Sequence, residues 1–181
     1  MQNIEEILTD LKSLWALVNA FVQKVGDQAS QENLRPDKWT IAEEFGHMIL
    51  SAAPIAKVLN TDPKEFLHQD YLKRNSLTYQ GLNDLYLDAL KHQSTVAPAR
   101  FIQSKDDISL SKDLIVKWSA IGHNLLDGFA HWNENELDNV QLKHPFLGLL
   151  TLREMLFFTH MHTAHHLRCL EQKALALSGL E

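Results

Sequence analysis

Four of the chain's ten histidines fall within seven residues, His160, His162, His165 and His166, in the stretch FTHMHTAHHLRCLEQ from Phe158 to Gln172. On a helix, residues i and i+4 lie about 40° apart around the axis. His162 and His166 have that spacing, so their imidazoles can point the same way and share a metal ion. With His166 as origin and about 100° per residue, Leu152, Met155, Thr159, His162 and Leu170 all fall within about 40° of it, while His160 and His165 lie about 100° or more away. His162 and His166 therefore ride the apolar stripe. Buried polar side chains need partners, which leaves two readings: core histidines bonded to neighbouring carbonyls, or a metal pair. The second is favoured because a neutral imidazole is the commonest metal ligand.

A catalytic metal site usually takes three protein ligands and keeps a position open. His47 is the strongest candidate for the third. Its neighbours Glu43, Glu44 and Ser51 form a polar patch, while Ile41, Phe45, Met48 and Ile55 look elsewhere. An exposed histidine and one lining a wet cleft would show the same pattern, so periodicity leaves His47 open. Cys169, at i+3 from His166, could bring a fourth, softer ligand, but a free cysteine more often packs as a small hydrophobe. Glu43, one turn before His47, is a candidate acid or base, although helix capping explains it without chemistry. His123 with Asp127 could form a carboxylate–histidine pair; a solvated helix face accounts for them better.

These residues need long helices to position them. Ile4, Ile7, Leu8, Leu11, Leu14, Trp15, Val18, Phe21 and Val22 recur at steps of three and four, predicting an amphipathic helix over 2–25 that ends near Gly26. Residues 27–38 read as a polar connection. Thr40-Ile-Ala-Glu43 fits a capping box, with Trp39 as a staple before it, and opens a helix towards Asn60. Pro54 predicts a kink or an early end there. A shorter helix is expected over 77–92 and an extended crossing strap over 96–101, where Pro98 disfavours helix in the residue before it. Leu114, Trp118, Ile121, Leu125, Phe129 and Trp132 predict a third long helix over 111–133. Residues 134–150 read as a loop, and Thr151-Leu-Arg-Glu154 is a second capping box opening a last helix towards Ser178. Few glycines and prolines, no repeat and four long helices plus a short one indicate an all-α helix bundle in a single domain over 1–181.

Composition narrows the partners. Against 23 acidic residues stand 17 Lys plus Arg, a formal charge of −6, and no dense basic run offers phosphate a footprint, so nucleic acid is not expected. One cysteine excludes an intramolecular disulfide and a Cys-rich zinc site. The acidic start MQNIEEILTDLK lacks signal-peptide features, and no apolar stretch approaches the roughly 18 residues of a membrane span. A cytoplasmic protein without membrane contact is the expectation.

Three separated segments, Trp39-Thr-Ile-Ala-Glu-Glu-Phe-Gly-His47, His144-Pro-Phe-Leu-Gly-Leu-Leu-Thr-Leu-Arg-Glu154 and His162-Thr-Ala-His-His-Leu-Arg168, resemble the DinB-like (DNA-damage-inducible) helix-bundle superfamily in order along most of the chain. Members are similar in a W-x-x-x-E-x-x-x-H segment on the second helix and an H-x-x-H-H segment on the last. The resemblance implies a four-helix bundle with a crossover connection, and a divalent ion, zinc or nickel, held by His47, His162 and His166, with His165 outside the ligand set. It also implies a possible homodimer. The chain departs from the family's pattern at Cys169, where many relatives carry Gln, so no polar role is carried over to it. A three-histidine ion with open positions can polarise a carbonyl or acidify bound water, which implies a hydrolase acting on a small molecule. Two alternatives stand beside it: a thiol S-transferase that activates a low-molecular-weight thiol, and a non-catalytic stress-response protein whose metal is structural. Fold and metal alone do not choose a reaction.

Overall fold

The computed structural model describes residues 2–25, 30–32, 38–66, 74–92, 98–102 and 112–178. The long helices are α1 (Ile4–Lys24) and α2 (Ile41–Leu59), followed by the shorter α3 (Tyr79–His92) and the long α4 (Lys112–Gly128). A six-residue helix α5 (Glu134–Asn139) and a hairpin of β1 (Gln141–His144) and β2 (Gly148–Thr151) lead into α6 (Leu152–Leu177). The fold is all-α, as expected, with the hairpin as a small addition.

Helix starts follow local chemistry. Thr40 and Thr151 each accept from the amide three residues on, while Glu43 and Glu154 reach back to the cap amides, so both expected capping boxes form. Two further boxes, Asn3 with Glu6 and Asn133 with Glu136, open α1 and α5. Pro54 does not end α2, which runs on to Leu59. There the freed carbonyls find side chains: Trp132 Nε1 donates to the Leu59 carbonyl at 2.8 Å and Asn60 Nδ2 to the Ala56 carbonyl at 2.8 Å.

Helices α1 and α2 each pack against both α4 and α6, so α1 lies diagonally opposite α2, and α4 diagonally opposite α6. That arrangement requires chain to cross the bundle, the expected crossover. At the α1–α4 seam the Trp15 and Trp118 rings stack, 4.2 Å apart and 2° from parallel. Gly122 makes this approach possible, because a Cβ there would meet the Trp15 ring at 2.4 Å. The predicted α4 stripe is buried throughout, from Leu114 to Trp132, but the α-helix stops at Gly128 and a 3₁₀ turn, Phe129–His131, carries the last part.

Two sequence expectations need correction. Residues 134–150 are not a loop: Asn133 caps α5, and β1 pairs antiparallel with β2 from Gln141↔Thr151 to His144↔Gly148. The hairpin turns tightly because Gly148 adopts φ +77°, a conformation in which a side chain is strained. The strap is extended only at Pro98 among its described residues; Ala99–Phe101 form a 3₁₀ turn, closed by the Phe101 amide on the Pro98 carbonyl. Residues 96 and 97 lie outside the described part, as does most of the connection expected over 27–38. No helix among the described residues is long and apolar enough to cross a membrane.

Candidate metal centre

The α2–α6 seam brings together three histidines from the two ends of the chain. His162 Nε2 lies 3.1 Å from His47 Nε2 and 3.1 Å from His166 Nε2, and the three candidate ligand atoms all lie within 4.8 Å of one another. All three side chains are buried. His47, the residue periodicity left open, is therefore not a surface histidine. Glu44, from the polar patch around it, faces inward to α6.

The hydrogen bonds outside the cluster orient the rings. His47 Nδ1 donates to the Phe101 carbonyl at 2.8 Å, and His166 Nδ1 donates to Glu44 Oε1 at 2.8 Å. Burial lowers both pKa values to about 4, so at neutral pH both rings are neutral and their Nε2 atoms carry lone pairs. Both lone pairs are aimed at His162 Nε2. Burial, then the neighbouring histidines, also lower the His162 pKa. A single proton on His162 Nε2 can point well at only one of the other two nitrogens, whereas one cation serves all three. A 2.1 Å metal–nitrogen bond separates neighbouring ligand nitrogens by about 3.0 Å in octahedral and about 3.4 Å in tetrahedral geometry. The donor set, the tautomers and the 3.1 Å spacings fit a divalent ion.

Glu44, not the sequence candidate Glu43, is the carboxylate that packing brings to the histidine cluster. Glu43 is occupied at the cap, its carboxylate accepting from the Thr40 amide at 2.7 Å. Glu44 is buried, with one oxygen on His166 and the other on Lys173. A carboxylate behind a ligating imidazole fixes its orientation and raises its basicity. The available signal was position: Glu44 lies at i−3 from His47, on the same helix face. Glu44→Gln keeps the shape but removes the charge, and zinc affinity measured by competition titration should fall about 10–100-fold; an unchanged affinity would remove Glu44 from the site.

The remaining histidines separate as helical phase predicts. His160 Nδ1 meets the Tyr79 hydroxyl at 3.0 Å, towards α3, and His165 Nε2 lies 3.8 Å from Cys169 Sγ. Cys169 is half-buried, its thiol pKa is pushed up by burial, and it is not part of the metal-competent group. His123 is exposed and bonds the Ser119 carbonyl at 2.8 Å, not Asp127. Trp39 packs its ring on His47, 4.9 Å between centroids, so the expected staple supports the cluster.

His144 joins the site unannounced. The hairpin buries it, and its Nδ1 accepts from the Phe146 and Leu147 amides at 3.2 and 3.1 Å. That fixes the neutral tautomer with the proton on Nε2, and burial lowers its pKa to about 4. The ring stands on edge against Phe158, 4.2 Å between centroids, and Phe158 in turn stacks on His162. His144, Phe158 and the three clustered histidines line one cavity of about 1300 Å³.

A family model described as the DinB superfamily matches residues 10–170. No curated protein and no solved structure matches the chain.

Proposed function

Because this chain belongs to the DinB superfamily, we propose that it is a metal-dependent enzyme in which His47, His162 and His166 hold a divalent ion, zinc or nickel, for hydrolysis of a small molecule. The observation that carries this reading is the convergence of three neutral imidazole Nε2 atoms on one point at the wall of a large cavity. A divalent ion bound there supplies Lewis acidity, polarising a substrate carbonyl or easing deprotonation of water. The chain does the rest. Glu44 and the Phe101 carbonyl hold two ligand rings in register, and the apolar walls limit competing water. His144 Nε2–H is a fixed hydrogen-bond donor for a substrate oxygen, of the kind that stabilises developing negative charge.

Transfer to a low-molecular-weight thiol is a second reading, favoured by size. At about 1300 Å³ the cavity exceeds the roughly 300–1,000 Å³ of a site for one ligand, leaving room for a thiol beside an electrophile. Zinc-loaded protein assayed on small esters, amides and electrophiles, with and without added thiol, separates the readings. Turnover without thiol, lost in His162→Ala, is the expected result. Turnover that requires thiol assigns the transferase, and a metal that changes only the melting temperature, with no turnover in either assay, overturns both.

A further inference from the structure

The charge around the cavity runs against the charge of the chain. Overall, acidic residues outnumber basic ones 23 to 17. Among the described residues that line the cavity, the basic ones are Lys38, Arg100, Lys143 and Lys173, and the acidic one is Glu44. Glu44 is already committed to His166 and Lys173. Lys38, Arg100 and Lys143 are exposed, on its solvent side, and none of them is paired with a carboxylate among the described residues. The Arg100 guanidinium sits over the Phe101 ring, 4.8 Å from the centroid, an arrangement that favours a cation on an aromatic face. Lys143 occupies the outward position of β1 beside the inward His144, as strand alternation requires. Lys173 feels both the Glu43 carboxylate, which favours its charge, and Lys38, which opposes it. Most of the remaining wall is apolar, with Met48, Ile55, Leu90, Phe146 and Phe158 among its residues.

From this lining we infer that the cavity takes a largely apolar molecule bearing an anionic group, a medium-chain carboxylate in its simplest form, with the anion on the exposed cations of the lining, Arg100 and Lys143 foremost. The physical grounds are direct. Like-signed charges around a low-dielectric concavity focus the field and raise the local concentration of counter-charged ligand. Apolar walls reward burial of a hydrocarbon body in proportion to area, and they offer a sugar-like polyol too few hydrogen-bond partners for its hydroxyls. A cationic substrate meets the three basic side chains and, when loaded, the metal ion as well. The inference rests on the reading that this cavity is the substrate site of the metal centre.

The test uses octanoate, octanol and octylamine as probes of equal length, titrated calorimetrically into zinc-loaded and zinc-free protein at low and high salt. Octanoate should bind about tenfold more tightly than octanol at low salt, with octylamine weakest, and the preference should shrink at high salt. The double variant Arg100→Glu, Lys143→Glu should lose the preference while octanol and zinc bind as before; the milder Arg100→Gln, Lys143→Gln should weaken it in the same direction without reversing charge. Octanoate binding no more tightly than octanol, or both double variants leaving the preference intact, overturns the inference. A preference seen only in zinc-loaded protein also overturns it, because the metal then does the selecting. Failure of zinc to bind at all strikes the metal centre instead, and the zinc-free comparison still decides the charge selection.

Discussion

Purified without nickel resin, the wild-type chain should retain about one divalent ion, and alanine at any of His47, His162 or His166 should abolish that retention. The expected loss in zinc affinity exceeds about a hundredfold, beyond the roughly 10–100-fold cost of losing an outer-shell partner. His162→Ala should be the most severe, since its Nε2 is the atom within 3.1 Å of both others. His160→Ala and His165→Ala, whose rings face Tyr79 and Cys169, should bind zinc like wild type. Elemental analysis and competition titration read all five. Equal losses across the five variants, or none, would sink the three-histidine assignment.

The same burial sets how metal binding responds to pH. Protons compete with the metal only once the imidazoles titrate, and His47 and His166 do so near 4, not near 6.5. Affinity should hold through mildly acidic conditions and collapse as the pH nears 4. Stability of the metal-free protein moves over a wider range. Unfolded histidines take up protons near pH 6.5, while folded His47, His144 and His166 resist until about 4, so the unfolded chain binds more protons between these values. The histidine contribution is fully present above about 6.5 and drains away as the pH falls towards 4. Urea midpoints across that interval provide the check.

Glu154→Ala should be the costliest of the capping substitutions. Glu154 is fully buried, and its carboxylate accepts from Arg74 Nη1 and Nη2, both at 2.6 Å, from the Leu77 amide at 2.6 Å and from the Thr151 amide at 2.8 Å. One side chain thus ties the start of α6 to the segment before α3. Those hydrogen bonds and the Arg74 cation hold its pKa below the ordinary carboxylate value despite burial. Truncation strands two amides and a cation. The Arg74 side chain is 32% exposed, so water partly compensates it, and the loss should be about 3 kcal/mol, below the upper end for a fully buried pair. For a chain of this length that corresponds to a melting temperature lower by roughly 6–12 °C. Glu43→Ala, which removes a capping contact at a half-buried site, should cost about 1 kcal/mol. Similar melting temperatures for the two variants would show that Glu154 is only a cap.

Glu154 also marks the boundary of what could be read before folding. Its capping role spans three residues and is written in Thr151-Leu-Arg-Glu154; its bonds to Arg74 and Leu77 cross 80 and 77 positions and leave no local pattern. The same division runs through the candidate metal centre. Helical phase depends only on a fixed rotation per residue, so the sequence alone separated His162 and His166 from His160 and His165 and assigned four long helices. The hairpin over 141–151 was hidden because its two strands are four residues each, too short to establish a period against a capped helix on either side. His47 was ambiguous by period, since a polar face towards solvent and one towards a polar seam look alike; family resemblance, not physics, singled it out. Docking of α2 on α6 then turned that face inward. Packing also chose Glu44 over Glu43, because two adjacent glutamates differ by about 100° around the helix and only a neighbouring helix decides which one is buried. The strap's Phe101 carbonyl, the His144 tautomer and the cationic edge of the cavity are likewise products of assembly. Each joins groups far apart in the chain, and such pairings are set by how whole elements pack, not by the residues beside them.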